Sequence, residues 1–156
     1  MKIHAASATM LIFFLSVSAC FASEASDAAL SMVKTLELGN NLGQMGLHVA
    51  ATTQTFRIIA QELGNEKAIA LVKKDLENVL PKYQEQWDKN LAQSYSEHFN
   101  STELRSITNE KQSSQYFPKF KSKQSEVGRS MRAKSTAVLT ELVTEAMYKS
   151  FAQVPK

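Results

Sequence analysis

The chain is predicted to be all-α, a single helical domain of five or six helices after a cleaved N-terminal signal peptide. Three observations predict it. Gly and Pro are scarce, 5 and 3 in 156 residues, so the chain carries few breakers. No window sustains an alternation of period two. Apolar residues recur instead at spacings of three and four, the period of an amphipathic helix.

Residues 1–22 stand apart from this pattern. Met1-Lys2 precedes an apolar run through Leu11-Ile12-Phe13-Phe14-Leu15-Ser16-Val17 and a small-residue exit, the layout of a secretory signal. Two exits are open. Cys20-Phe21-Ala22 carries small residues where a general signal peptidase reads them, which places cleavage between Ala22 and Ser23. Val17-Ser18-Ala19-Cys20 resembles a bacterial lipobox, with Cys20 as the lipidated residue. The first makes a periplasmic protein and the second a lipoprotein anchored in a bacterial membrane, held there by about 0.8 kcal/mol for each buried methylene. An uncleaved anchor is disfavoured because a span needs about 20 apolar residues. Cys20 is the only cysteine, so cleavage after Ala22 leaves no disulfide framework and no thiolate chemistry.

The remaining 134 residues suffice for one domain, expected over 23–152 with 153–156 as a frayed tail. Charge is uneven along it. Residues 23–110 hold 8 Lys/Arg against 12 Asp/Glu, and residues 111–156 hold 9 against 3.

Taken in order, Ser26 is the expected N-cap of a first helix carrying Asp27, Leu30, Val33 and Leu36, and stopping near Gly39. A second is expected from about Leu42 through Met45, Val49, Phe56, Ile59 and Leu63 to a stop at Gly64. Asn65 is the expected cap of a third, whose stripe Ile69, Val72, Leu76 and Leu80 runs on in phase through Tyr83, Trp87, Leu91, Tyr95 and Phe99. Pro81 interrupts that stripe. It cannot donate to residue 77 and crowds that carbonyl, which predicts a kink or two nearly collinear helices.

Phe99-Asn100-Ser101-Thr102-Glu103-Leu104 spells a capping box with a hydrophobic staple, Asn100 at N-cap, Glu103 at N3, and Phe99 against Leu104. The helix is expected to run to about Lys111. After a polar joint at Gln112-Ser113-Ser114-Gln115, a long closing helix is expected from near Pro118 to about Phe151. Phe120, Val127, Met131, Val138, Leu142 and Met147 should form its inner face.

The run His98-Phe99-Asn100-Ser101-Thr102-Glu103-Leu104-Arg105-Ser106-Ile107, followed by Lys123-Gln124-Ser125-Glu126-Val127 and a long helix, resembles a family of exported proteobacterial domains of unknown function. The resemblance spans about residues 97–147. It departs from the family pattern at Glu110 to Tyr116, where Phe-Tyr-x-Ser-Pro-x-Gly is usual, and at Ser125, where Pro is usual. What it implies is an all-helical periplasmic domain, with no catalytic residues to carry over.

Chemistry-bearing motifs are few. His48 and His98 have no second His or Cys at metal-ligand spacing, and Glu97 and His98, adjacent on a helix, point apart. No catalytic residue, cofactor site or metal site is expected. The glycines Gly39, Gly43 and Gly46 lack the Gly-Lys-Ser/Thr ending of a phosphate loop and read as a helix stop and close helix packing. Two surfaces are functional candidates. The basic residues Lys119, Lys121, Lys123, Arg129 and Arg132, flanked by Lys111 and Lys134, could meet an anionic surface, or could pair with the acidic front half. The aromatics Tyr83, Trp87 and Tyr95 read as core, or as a groove for a partner. The expectation is a non-catalytic binding or interaction module of the cell envelope. A peripheral or lipid-anchored membrane-surface protein is the alternative and a hydrolase the third. The partner would be an envelope protein or an anionic surface, or a second copy of the chain, and not nucleic acid.

Overall fold

A computed structural model describes the backbone of residues 16–155 and the side chains of residues 24–155. Seven α-helices and one 3-10 turn are present among the described residues, one or two helices more than expected, and no strand. They are α1 (Ser16–Thr35), α2 (Leu42–Ala51), α3 (Gln54–Leu63), α4 (Asn65–Val79), α5 (Pro81–Ser96), α6 (Ser101–Glu110), the 3-10 turn Lys111–Ser113, and α7 (Phe117–Ala152). None is long and apolar enough to cross a membrane.

The first helix differs from expectation at both ends. Ser26 lies inside α1 and caps nothing, because the backbone is already helical from Ser16 among the described residues. Cys20, Ala22 and Ser23 fall on that backbone, with side chains outside the described residues, and residues 1–15 lie outside altogether. The stop comes before Gly39. Glu37 takes φ 53°, the Leu38 amide donates to the Val33 carbonyl and the Glu37 amide to the Lys34 carbonyl. This is a Schellman end with Glu in the place glycine usually fills. Gly39 instead lets the turn lie against α5, since a Cβ there would collide with the Asp88 carboxylate. Gly43 and Gly46 bring α2 close to Leu80, Leu76 and Leu142 in the same way.

The expected helix from Leu42 to Leu63 is two helices. Thr52 and Thr53 donate their hydroxyls to the carbonyls of Val49 and Ala50, both at 2.7 Å, and the Thr53 hydroxyl also accepts the Phe56 amide at 3.1 Å. Those bonds end α2 and cap α3. Gly64, at φ 83°, ends α3 as expected, and it also takes the N-cap position assigned to Asn65, which is the first helical residue of α4. At Pro81 the stripe divides into α4 and α5. Leu80 keeps helical dihedrals of −51° and −43° while Pro81 opens the next helix, so a joint replaces a turn.

The capping box forms as spelled. The Glu103 amide donates to Asn100 Oδ1 and the Asn100 amide to Glu103 Oε2, both at 3.0 Å, while Phe99 and Leu104 are buried together. Gln153 Nε2 donates to the buried Asp75 carboxylate at 2.8 Å, and Val154 packs on the core.

Two apolar clusters result. One gathers Leu42, Ile59, Val72, Leu76, Trp87 and Leu142 from α2, α3, α4, α5 and α7. The other gathers Met32, Val33, Tyr95, Phe99, Leu104 and Val127 from α1, α5, the α5–α6 connection, α6 and α7. Leu91 of α5 packs against both.

Candidate functional site

Spacing along α5 sets the site. Trp87, Leu91 and Tyr95 recur every fourth residue, so they share one face, and that face meets α7 beside the turn that follows α1. The two clusters meet along this line without closing completely. A half-open cleft of about 400 Å³ is left, floored by Trp87, Leu91, Tyr95, Val127, Met131 and Leu139. Leu38, Asn41 and Met45 form one wall, and Gln124, Gly128, Arg132, Ser135 and Thr136 of α7 form the other.

The rings at the floor are core side chains showing one edge. Trp87 is 3% exposed and Tyr95 4%, whereas Met45 at the rim is 39% exposed. Their polar atoms are fixed from within. Trp87 Nε1 donates to Asn41 Oδ1 at 3.3 Å, and the Tyr95 hydroxyl donates to Gln124 Oε1 at 3.3 Å. Burial pushes the Tyr95 hydroxyl above its ordinary pKa, so it stays a neutral donor. Behind the cleft, buried Asn90 donates to Ser135 Oγ and to the Lys134 carbonyl, and accepts from Gln86. Ser135 in turn donates to Met131 Sδ. These bonds lock α5 to α7 and give the cleft a rigid back.

Tyr83 is separate from this site. Its ring is buried in the first cluster and its hydroxyl donates to Glu145 Oε2 at 2.7 Å, a bond that raises the pKa of the tyrosine. The aromatic candidates thus divide, with Trp87 and Tyr95 lining the cleft and Tyr83 holding α5 to α7 elsewhere.

The basic residues are not one unpaired patch. Lys119 Nζ lies 2.7 Å from both oxygens of Glu103 and over the Phe99 ring, and Lys123 donates to Glu126. Lys134 pairs with Glu97 at 2.8 Å. Glu97 and Glu103 belong to the acidic front half, so the two halves neutralise each other in part. Lys121 rests over the Phe117 ring, Arg129 reaches the Ser125 hydroxyl, and Arg132 lines the cleft. Among the described residues these last three have no carboxylate within 4.0 Å.

His98 also finds a partner that adjacency in sequence could not show. Its Nδ1 is 3.6 Å from Glu126 of α7, while Glu97 turns to Lys134 and Ser130. The Lys134 ammonium, then the Ser130 hydroxyl, hold the Glu97 carboxyl below the usual carboxylate range. Neither His98 nor a carboxylate lines the cleft, and no three of His, Cys, Asp and Glu cluster as metal ligands among the described residues. The cleft's one charge is Arg132.

Comparison with protein-family models, with curated proteins and with solved structures found no match to this chain. Its chemistry must be read from the cleft itself. An apolar floor with rigid aromatic edges can hold a hydrophobic group, and one cation at the rim can orient it. The sequence carried only half of this signal, the i to i+4 aromatic spacing. Met45, Leu38 and Arg132 come to the same place only through the packing of α2, α5 and α7.

Proposed function

We propose that this protein is an exported helical binding module of a bacterial cell envelope, and that the cleft between α2, α5 and α7 is where it takes its ligand. The address rests on the pattern of residues 1–22, supported by the resemblance of residues 97–147 to exported proteobacterial domains. Cleavage after Ala22 keeps Ser23 onward, including every described buried residue of α1. Lipidation at Cys20 would add an anchor to the same module.

The observation that carries the reading is the lining of the cleft. It offers Trp, Tyr, Met and Leu surfaces and no Asp, Glu or His side chain, which is chemistry for holding a molecule rather than for moving its protons. Its volume falls within the range of about 300–1,000 Å³ common for small-molecule sites. A membrane-surface role for the basic stretch has less support, since Lys119, Lys123 and Lys134 are engaged by glutamates.

The test uses the one tryptophan. A neutral apolar dye such as N-phenyl-1-naphthylamine should bind saturably at one site, with emission sensitised by Trp87. A response that rises linearly without saturation, or that shows no transfer from Trp87, would remove the cleft as a binding site.

A further inference from the structure

We infer that the ligand of this cleft is a single-chain anionic amphiphile, its apolar part lying on Trp87 and Met131 and its head group held by the Arg132 guanidinium. The inference rests on the reading of the cleft as a binding site and names the ligand's class.

Charge is the first support. Of the basic residues on α7, Lys119, Lys123 and Lys134 each hold a glutamate, whereas Arg132 has no carboxylate within 4.0 Å among the described residues. It stands exposed at the edge of an apolar cleft. Arg129 stands on the same side of α7, held only by the Ser125 hydroxyl at 3.2 Å. A guanidinium presents a planar fork that matches carboxylate and phosphate oxygens, which an alcohol or an ammonium head would leave unused.

The other polar groups of the lining give the second support, because each is neutral and already has a partner within the fold. Asn41 accepts from Trp87, Gln124 accepts from Tyr95, and Ser135 lies between Asn90 and Met131. Thr136 donates to the Arg132 carbonyl. Arg132 is the one charged group of the lining that can orient a ligand.

Gly128 is the third. A glycine inside a helix is less favourable than alanine. Here a Cβ would meet nothing within 4 Å. Gly128, Arg132 and Thr136 line both the cleft and an open depression on the outer side of α7, which Arg129 also lines. The missing side chain lowers the ridge between them. A chain seated in the cleft can thus pass its head over Gly128 toward the two arginines.

A fatty carboxylate and a single-chain phosphate share this chemistry, and matched probes separate them. Trp87 emission would be titrated, below micelle formation, with decanoate, decyl phosphate, decanol and decyltrimethylammonium. At least one of the two anions is expected to bind about tenfold more tightly than decanol, and the cation more weakly than decanol. Whichever anion binds tighter identifies the head group. In Arg132→Gln that advantage should vanish, the preferred anion binding no more tightly than decanol binds to the same variant, and Arg132→Lys should retain part of it. Gly128→Ala should melt about 3 °C higher yet bind the preferred anion severalfold more weakly. Anions that bind no tighter than decanol, an advantage that survives Arg132→Gln, or an affinity untouched by Gly128→Ala would each overturn the inference and leave the cleft reading standing. Binding of none of the four would overturn both.

Discussion

Glu145 gathers three partners outside the cleft. Its carboxylate accepts from Lys82 Nζ and from the Tyr83 hydroxyl, each at 2.7 Å, and Lys149 lies 3.5 Å away. The Lys82 hydrogen bond, then the Tyr83 one, hold its pKa at about 2, down from 4.5. A carboxyl depressed in the fold leaves the unfolded chain binding more protons between those two values. Its stabilisation is therefore complete above the unfolded pKa and fades as pH falls toward 2. Glu145→Gln should lower the urea midpoint near neutral pH, and the gap to the parent protein should close in acid. A gap that stays constant from about pH 6 to about pH 2 would show that the ionised carboxylate is not what holds α5 to α7 here. Glu97, depressed by Lys134, adds to the same acid sensitivity, so the parent curve itself should slope downward in this window.

At the scale of the element, α6 depends on its first turn. It has only ten residues, too few to persist on propensity alone, and its start is fixed by the reciprocal Asn100 and Glu103 bonds. Glu103 is also the partner of Lys119, so one carboxylate caps α6 and secures the start of α7. Asn100→Ala should cost about 1 kcal/mol in chemical denaturation, and Asn100→Asp, which keeps the accepting oxygen, much less. Equal losses in the two variants would mean that the cap bond is not the source. This box was legible in the sequence because all its parts lie within six residues. The Gly64 stop and the Pro81 joint were legible for the same reason, and the span of α7 because its apolar spacing recurs along 36 residues. The break at Thr52-Thr53 was not. Apolar spacing continues across it, and with Phe56 rather than Glu at the N3 position no reciprocal box marks the start of α3. The end of α1 was misplaced because glutamate occupies the left-handed position that glycine usually marks. The cleft was least legible of all, since Trp87, Met45 and Arg132 become neighbours only after three helices pack.

At the scale of the whole molecule, α7 is the member that makes two clusters into one structure. Its 36 residues span about 54 Å, at about 1.5 Å per residue. Its first half places Val127 in the cluster built on α1, α5 and α6, and its second half places Leu142, Val143 and Met147 in the cluster built on α2, α3 and α4. Leu91 touches both clusters, and the Asn90 to Ser135 bond lies within the same stretch of α5. Loss of either cluster strips α5 of a main partner, α1 on one side or α7 on the other, which argues for one cooperative unit. Trp87 reports on the first cluster alone, whereas helical circular dichroism reports on every helix. The two signals should therefore follow one denaturation curve. Leu142→Ala, at a fully buried position, should destabilise by about 2–5 kcal/mol and move both signals together. A dichroism transition that precedes the Trp87 transition would mean that α1 and α6 melt on their own, with the cleft outlasting the cluster that forms one of its ends. Coincident curves would mean that the cleft exists only when the whole molecule is folded, as its position on the seam between the two clusters requires.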